Sequence, residues 1–155
     1  MNMPYKLMTG NIFDTKLDII VNTVNCVGVM GAGLALEFKK RFPDYFRGYQ
    51  ILCREKKLKL GFPWIHPPKD GVPWIISFPT KGHWKEKSIL SNIEAGLVQL
   101  HSIFNQNIGD WTRVKGIAFP LLGCRNGGLD QKDVIPLIDK YMGHIGFEIE
   151  IWTKP

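Results

Sequence analysis

Residues 22–38 read Asn-Thr-Val-Asn-Cys-Val-Gly-Val-Met-Gly-Ala-Gly-Leu-Ala-Leu-Glu-Phe. The apolar run Asp18-Ile19-Ile20-Val21 stands directly before this stretch, and a helical pattern follows it. Two asparagines and three glycines therefore fall at a strand-to-helix turn. In an open α/β sheet such a turn lies at the carboxyl end of a strand, where ligands bind. Glycines let a ligand approach the backbone, and a helix N-terminus offers free N–H groups to phosphate. The spacing Gly28-x-x-Gly31-x-Gly33 is not the dinucleotide fingerprint G-x-G-x-x-G, and no G-K-[ST] follows it.

Working outward, a short first strand is expected at Tyr5–Met8, buried strands at Asp18–Val21 and Trp74–Phe78, a further strand at Lys115–Leu121, and an alternating last strand at Phe147–Trp152. Helices are expected over Ala32–Arg41, over Asp44 to about Lys56 behind Pro43, and over Asp130–Met142. The clearest helix runs from Ser88 to Asn105, where Leu90, Ile93, Leu97, Leu100 and Phe104 form one apolar stripe. Ser88 or Lys87 is expected near its cap. Gly61–Asp70 holds three prolines and reads as a loop with room for an edge strand. Strands alternating with helices imply an α/β fold, its mostly parallel sheet covered on both faces. A second glycine loop, Gly123-Cys-Arg-Asn-Gly-Gly128, should meet the first at the same sheet edge. Two N–H-rich loops facing each other suit a diphosphate.

The 155 residues suit one domain, 1–155, with a core that needs no staples. No apolar run is long enough to span a membrane, and no secretory leader is visible, so the cytoplasm is the expected location. Cys26, Cys53 and Cys124 form no C-x-x-C pair and read as reduced thiols. Cys26 and Cys124 lie in glycine-rich loops where a nucleophile could sit, but no His or Asp stands at a partner position. The four histidines have no ligand spacing, so no metal site is expected. The net charge is +6. Its basic clusters fit either a solvated surface or attraction to a polyanion such as nucleic acid.

The chain resembles the macrodomain family of ADP-ribose-binding proteins over nearly its whole length. The resemblance rests on Thr9-Gly10-Asn11-Ile12-Phe13, on Val21 to Gly31, and on Pro120-Leu121-Leu122-Gly123-Cys124. Within the family it is most similar to the DarG-like branch, through Val27-Gly28-Val29-Met30-Gly31, Phe78-Pro79-Thr80-Lys81-Gly82-His83-Trp84 and Gly127-Gly128-Leu129-Asp130. The resemblance implies a three-layer α/β/α sandwich with a mixed, mostly parallel central sheet. It implies a DNA ADP-ribosyl glycohydrolase that removes ADP-ribose from a modified base, thymidine foremost, as the antitoxin to a DarT-type toxin. The implied ligands are ADP-ribose and ADP-ribosylated single-stranded DNA, with no cofactor, acting as a monomer. DarG proteins often carry a further C-terminal domain, which a chain ending at Pro155 is expected either to lack or to have lost by truncation.

Roles follow position by position. Gly10, Asn11 and Ile12 would hold the adenine edge, and Trp152 would stack on the ring; read from sequence alone, Trp152 is a strand-end core aromatic. Many macrodomains have Asp where Asn11 stands, and an amide oxygen still accepts a hydrogen bond. Asn22 and Asn25 would address the distal ribose, or else simply form the turn. Gly31, Ala32, Gly33 and Leu34 would meet the diphosphate, with Gly123, Cys124, Arg125, Asn126, Gly127 and Gly128 closing from the other side. Thr80 would line the site next to Lys81. His83 and Trp84 would touch the modified nucleotide, or Trp84 would pack the helix at Ser88 into place.

Lys81 is the catalytic candidate, as nucleophile or as general acid. A free lysine titrates near ~10.4, so roughly one in 2,500 is neutral at pH 7. A nucleophilic role therefore requires desolvation or a second cation nearby. Related protein glycohydrolases carry a catalytic Asp in the second loop, where this chain has Gly127. Asp130 is expected to cap its helix rather than replace that acid. Arg125 stands where the DarG pattern has Gly, and Gln131 where it has Trp. Two other functions stay open: an ADP-ribosyl-glutamate or O-acetyl-ADP-ribose hydrolase, and a module that binds ADP-ribose without chemistry.

Overall fold

The computed structural model describes residues 4–153. The chain ends, on which the readings of a leader and of a following domain turn, lie outside them. Six strands form one sheet: β1 Lys6–Thr9, β2 Ile19–Val24, β3 Trp64–His66, β4 Trp74–Pro79, β5 Gly116–Pro120 and β6 Glu148–Thr153. Their order is β1-β6-β5-β2-β4-β3. All neighbours pair in parallel except β3, which runs antiparallel along β4 at the edge. The edge strand for which the proline-rich loop left room is thus present.

Four helices cover the sheet: α1 Gly33–Arg41, α2 Pro43–Arg54, α3 Leu90–Asn105 and α4 Gln131–Met142. Successive side chains of a strand point to opposite faces. Ile19, Val21, Ile76, Phe78, Ile117 and Phe119 therefore pack with α3 and α4, through Ile93, Leu97, Leu100, Val134 and Ile138. Ile20, Val24, Ile75 and Ala118 face the other way, onto Phe38, Tyr45 and Tyr49 of α1 and α2. The result is the expected three-layer α/β/α sandwich.

One boundary shifts: α3 begins at Leu90 rather than Ser88, and Ser88 lies directly before its N-cap, Ile89, which makes no side-chain bond. Ser88 donates its backbone N–H to the Gly127 carbonyl (3.0 Å), fastening the segment before α3 to the loop after β5. Its buried hydroxyl has no hydrogen-bond partner. Asp130 does cap α4, accepting from the Lys132 N–H at 2.9 Å.

Candidate active site

Parallel pairing puts the carboxyl ends of β1, β6, β5, β2 and β4 in one row. The loops leaving them line a cleft of about 1300 Å³. From β1 to β4 is four strand spacings, roughly 19 Å. Gly10, Asn11, Ile12, Phe13 and Trp152 stand at one end of this row, and Thr80 and Lys81 at the other. The two glycine loops lie between them.

At the β1–β6 end, Asn11 accepts the Phe13 N–H (2.9 Å) and caps a 3-10 turn, Ile12–Asp14. The Trp152 indole N–H donates to Glu150 Oε1 (2.9 Å), which also accepts from Thr15 Oγ1 (2.6 Å). Glu150 thus fixes an indole that is only 9% exposed yet lines the cleft.

In the middle, α1 begins behind Ala32, which supplies no side-chain cap, and its first turn carries no acid. Its leading N–H groups are thus open to an anion. The α4 N-terminus is closed by Asp130 and has Asp133 in its first turn. A diphosphate therefore suits α1, flanked by Gly31, Ala32, Gly33 and Leu34 on one side and by Gly123, Arg125, Asn126 and Gly127 on the other.

Asn25 lines the cleft, but its side chain is committed to the turn. Its amide donates to the Val29 carbonyl (2.8 Å), and its oxygen accepts from Val27 N–H (3.1 Å), Val29 N–H (3.3 Å) and Tyr49 Oη (2.8 Å). Asn22 corrects the sequence reading. Strand alternation turns it toward α2, where it is 0% exposed, and it is absent from the cleft wall. It donates to Tyr45 Oη at 3.0 Å, and the nearly sealed Met30 lies over it with its sulfur 3.9 Å away. Thr23, its outward neighbour, lines the cleft instead.

In the second loop, Cys124 and Gly128 do not line the cleft. The Cys124 side chain packs toward the core beneath α4 and bonds the Leu122 carbonyl. Burial pushes the thiols of both Cys124 and Cys26 up to about 11, which disfavours the thiolate a nucleophile needs. Gly127 has no room for any side chain, because a Cβ there would collide with the Ser88 hydroxyl and the Gly123 carbonyl. An acidic side chain at this position would force the loop or the Ser88 segment to shift.

The loop after β4 is tied to both glycine loops. Thr80 N–H bonds the Val24 carbonyl, Cys26 N–H bonds the Gly82 carbonyl, and Ser88 N–H bonds the Gly127 carbonyl. This frame carries Lys81, whose amine donates to the Trp84 carbonyl at 3.1 Å. Partial burial, and then the Lys87 ammonium, hold the Lys81 amine below the ordinary lysine value. Both conditions demanded of a nucleophilic lysine are met in direction. Trp84 is 49% exposed on the rim and belongs to neither core cluster, so it does not pack α3 into place. His83 stands beside it, ring centroids 5.1 Å apart, but does not line the cleft. Sequence reasoning missed Phe13, Glu37, Lys85, Glu86 and Lys87 as lining residues. Phe13 and Glu37 stand inside the stretches quoted above, and Lys85, Glu86 and Lys87 follow directly on the Phe78–Trp84 one. No cluster of three His, Cys, Asp or Glu suited to a metal occurs among the described residues. No helix there is long and apolar enough to cross a membrane.

Residues 21–138 match the Macro domain family. A Mycobacterium tuberculosis protein named DNA ADP-ribosyl glycohydrolase is 40% identical over 128 residues, which is 81% of this chain and 35% of that protein. The macrodomain of Thermus aquaticus DarG superposes with a TM-score of 0.85 at 34% identity, covering 96% of this chain and 97% of that one. A DNA ADP-ribosyl transferase–DNA ADP-ribosyl glycohydrolase fusion protein of Thermosipho africanus is 31% identical over 163 residues, 94% of this chain and 41% of that protein. A structure of Thermosipho africanus DarTG in complex with ADP-ribose superposes with a TM-score of 0.85, covering 97% of this chain and 42% of that one. The chain spans 35–41% of the length of the curated relatives it matches.

Proposed function

The chain belongs to the macrodomain family, and from that premise we propose that it is a DNA ADP-ribosyl glycohydrolase whose catalytic residue is Lys81. The carrying observation is the Lys81 amine, held in the cleft by the Trp84 carbonyl, with its proton affinity lowered by partial burial and by Lys87. A module that only binds needs the glycine loops and has no use for such an amine. The names of the 40% and 31% identical relatives support the same activity.

In this reading adenine lies against Trp152 and Gly10, the diphosphate sits at the α1 N-terminus, and the distal ribose reaches Lys81. The neutral amine attacks the ribose C1″. The bond from C1″ to the base nitrogen breaks, and the base keeps the bonding pair. It also takes the proton that the attacking amine loses. Water then cleaves the C1″–Nζ linkage, returning the free lysine and ADP-ribose. Net consumption is one water, and no second carboxylic acid is required, in keeping with the closed space at Gly127.

Thymidine in single-stranded DNA is the proposed acceptor, and a DarT-type toxin is the proposed source of the modification. The protein acts as a cytoplasmic monomer. The test compares turnover of an ADP-ribosyl-thymidine oligonucleotide, an ADP-ribosyl-glutamate peptide and O-acetyl-ADP-ribose at equal enzyme concentration. Selective release from the oligonucleotide is the predicted result. Faster turnover of either other substrate would contradict the assignment, and tight ADP-ribose binding without turnover of any would make the protein a binding module.

A further inference from the structure

We propose that the rim beside Lys81 is a shelf for single-stranded nucleic acid, with Trp84 stacking a base next to the modified one and Lys85 and Arg125 taking the adjoining phosphodiesters. The inference rests on the reading of the cleft as a site for ADP-ribosylated DNA, and it adds how the strand itself is held.

Three observations carry it. First, the cleft is larger than the ~300–1,000 Å³ usual for a small-molecule site. Second, the half-exposed Trp84 is an indole without a packing role. The His83 ring lies 5.1 Å from it, centroid to centroid, with the planes tilted by 30°, so the imidazole stacks against the indole and helps hold it in place. Bases of any identity stack on such a face. Third, the charged side chains lining the cleft are Lys81, Lys85, Lys87 and Arg125 against Glu37 and Glu86, and three of these cations come from the loop that carries Trp84. Arg125 stands on the facing loop, joined to the first through the Ser88–Gly127 bond.

The Lys85 ammonium now lies 5.0 Å from the centre of the Trp84 ring. Exposed cation–ring contacts are weak. An incoming base displaces Lys85 from the ring and leaves its ammonium beside the phosphate of the same nucleotide. The exposed indole of Trp84 favours a nucleic acid strand over an acidic peptide, which offers charge without rings.

The test measures binding of a fluorescein-labelled, unmodified eight-nucleotide single strand by anisotropy across a series of salt concentrations. Turnover of an ADP-ribosylated strand is followed in parallel. Trp84→Ala should weaken strand binding about tenfold. Lys85→Ala and Arg125→Gly should each flatten the slope of log affinity against log salt by about 0.7, the value for one phosphate contact on a single strand. Thermal melts check that each variant stays folded, and calorimetric titration with ADP-ribose checks that Trp84→Ala and Lys85→Ala keep an intact cleft. Strand affinity and salt slope unmoved by all three substitutions would overturn the shelf. Binding of a polyglutamate peptide of equal charge as tight as that of the strand would overturn it as well. Wild type that binds the strand through these residues but releases no ADP-ribose would leave the shelf standing and overturn the glycohydrolase reading alone.

Discussion

The Lys81 amine has two possible uses, and its protonation tells them apart. A nucleophile must be neutral, whereas a general acid must be charged. Burial and Lys87 lower its affinity for protons, so kcat/KM should climb with pH through a value below that of an ordinary lysine. A rate that falls over the same range would make Lys81 the acid. Lys87→Ala should move the rising limb to higher pH while desolvation keeps part of the shift, and pH–rate profiles of the two proteins would show it. At the opposite end of the cleft, Glu150 acts on the ligand only through the Trp152 indole it holds. A hydrogen bond to a charged group contributes about 1.5–3 kcal/mol, and part of that should be felt in ligand affinity. Glu150→Ala is therefore expected to weaken ADP-ribose binding several-fold in the wild type and hardly at all in a Trp152→Ala background. Equal losses in both backgrounds, measured by calorimetry, would show that Glu150 acts by another route.

The loops act as three coupled elements rather than as separate ligand contacts. The loop after β2 is held from below by Tyr49, whose hydroxyl donates to both the Asn25 carbonyl and the Asn25 side chain at 2.8 Å. Tyr49→Phe should cost about 1 kcal/mol of stability and raise KM more than it lowers kcat; a fall in kcat alone would contradict this. Gly127→Asp places the acid of the protein glycohydrolases at its matching position, but the Ser88 hydroxyl and the Gly123 carbonyl already fill that space. Overpacking of this kind costs about 1–3 kcal/mol. The variant should melt earlier and be slower, and a faster, equally stable enzyme would refute the steric account. These elements also show where the sequence was readable. The apolar stripe of α3 and the continuous strands were legible because burial is periodic. The loops that meet were legible because both follow adjacent strands of a parallel sheet. The fates of Asn22, Cys124 and Ser88 were not. Each depends on which way one side chain turns beside a glycine loop, and local composition does not encode that direction.

Across the whole molecule, a chain of buried polar groups joins the sheet edge to the floor beneath the first glycine loop. His66 Nε2 meets Ser77 Oγ (2.9 Å), Ser77 meets Tyr45 Oη (2.7 Å), and Asn22 donates to Tyr45 beneath Met30. Burial pushes the His66 imidazole down to about 4. The unfolded chain, with histidine near ~6.5, then binds the extra proton first as pH falls. Stability should be full above pH ~6.5 and decline toward pH 4, by about 3 kcal/mol at the limit. Thermal melts of the wild type and of His66→Gln across that window would check this, since the variant should lose the His66 part of the slope. Asn22 lies at the inner end of this chain, so its place in the sequence motif reflects support of the cleft floor rather than contact with a ligand. The organisation of the molecule places Lys81 at the end of a five-strand row, with Lys85 and Lys87 on the same loop, and Lys81 is the amine proposed to free ADP-ribose from DNA. The most direct measurement incubates a single-stranded oligonucleotide bearing ADP-ribose on thymine with wild type and with Lys81→Ala, and follows the gel shift back to the unmodified strand. The account predicts complete conversion by wild type and none by the variant, with ADP-ribose binding retained in both. Equal conversion by the variant, or none by either, would contradict it.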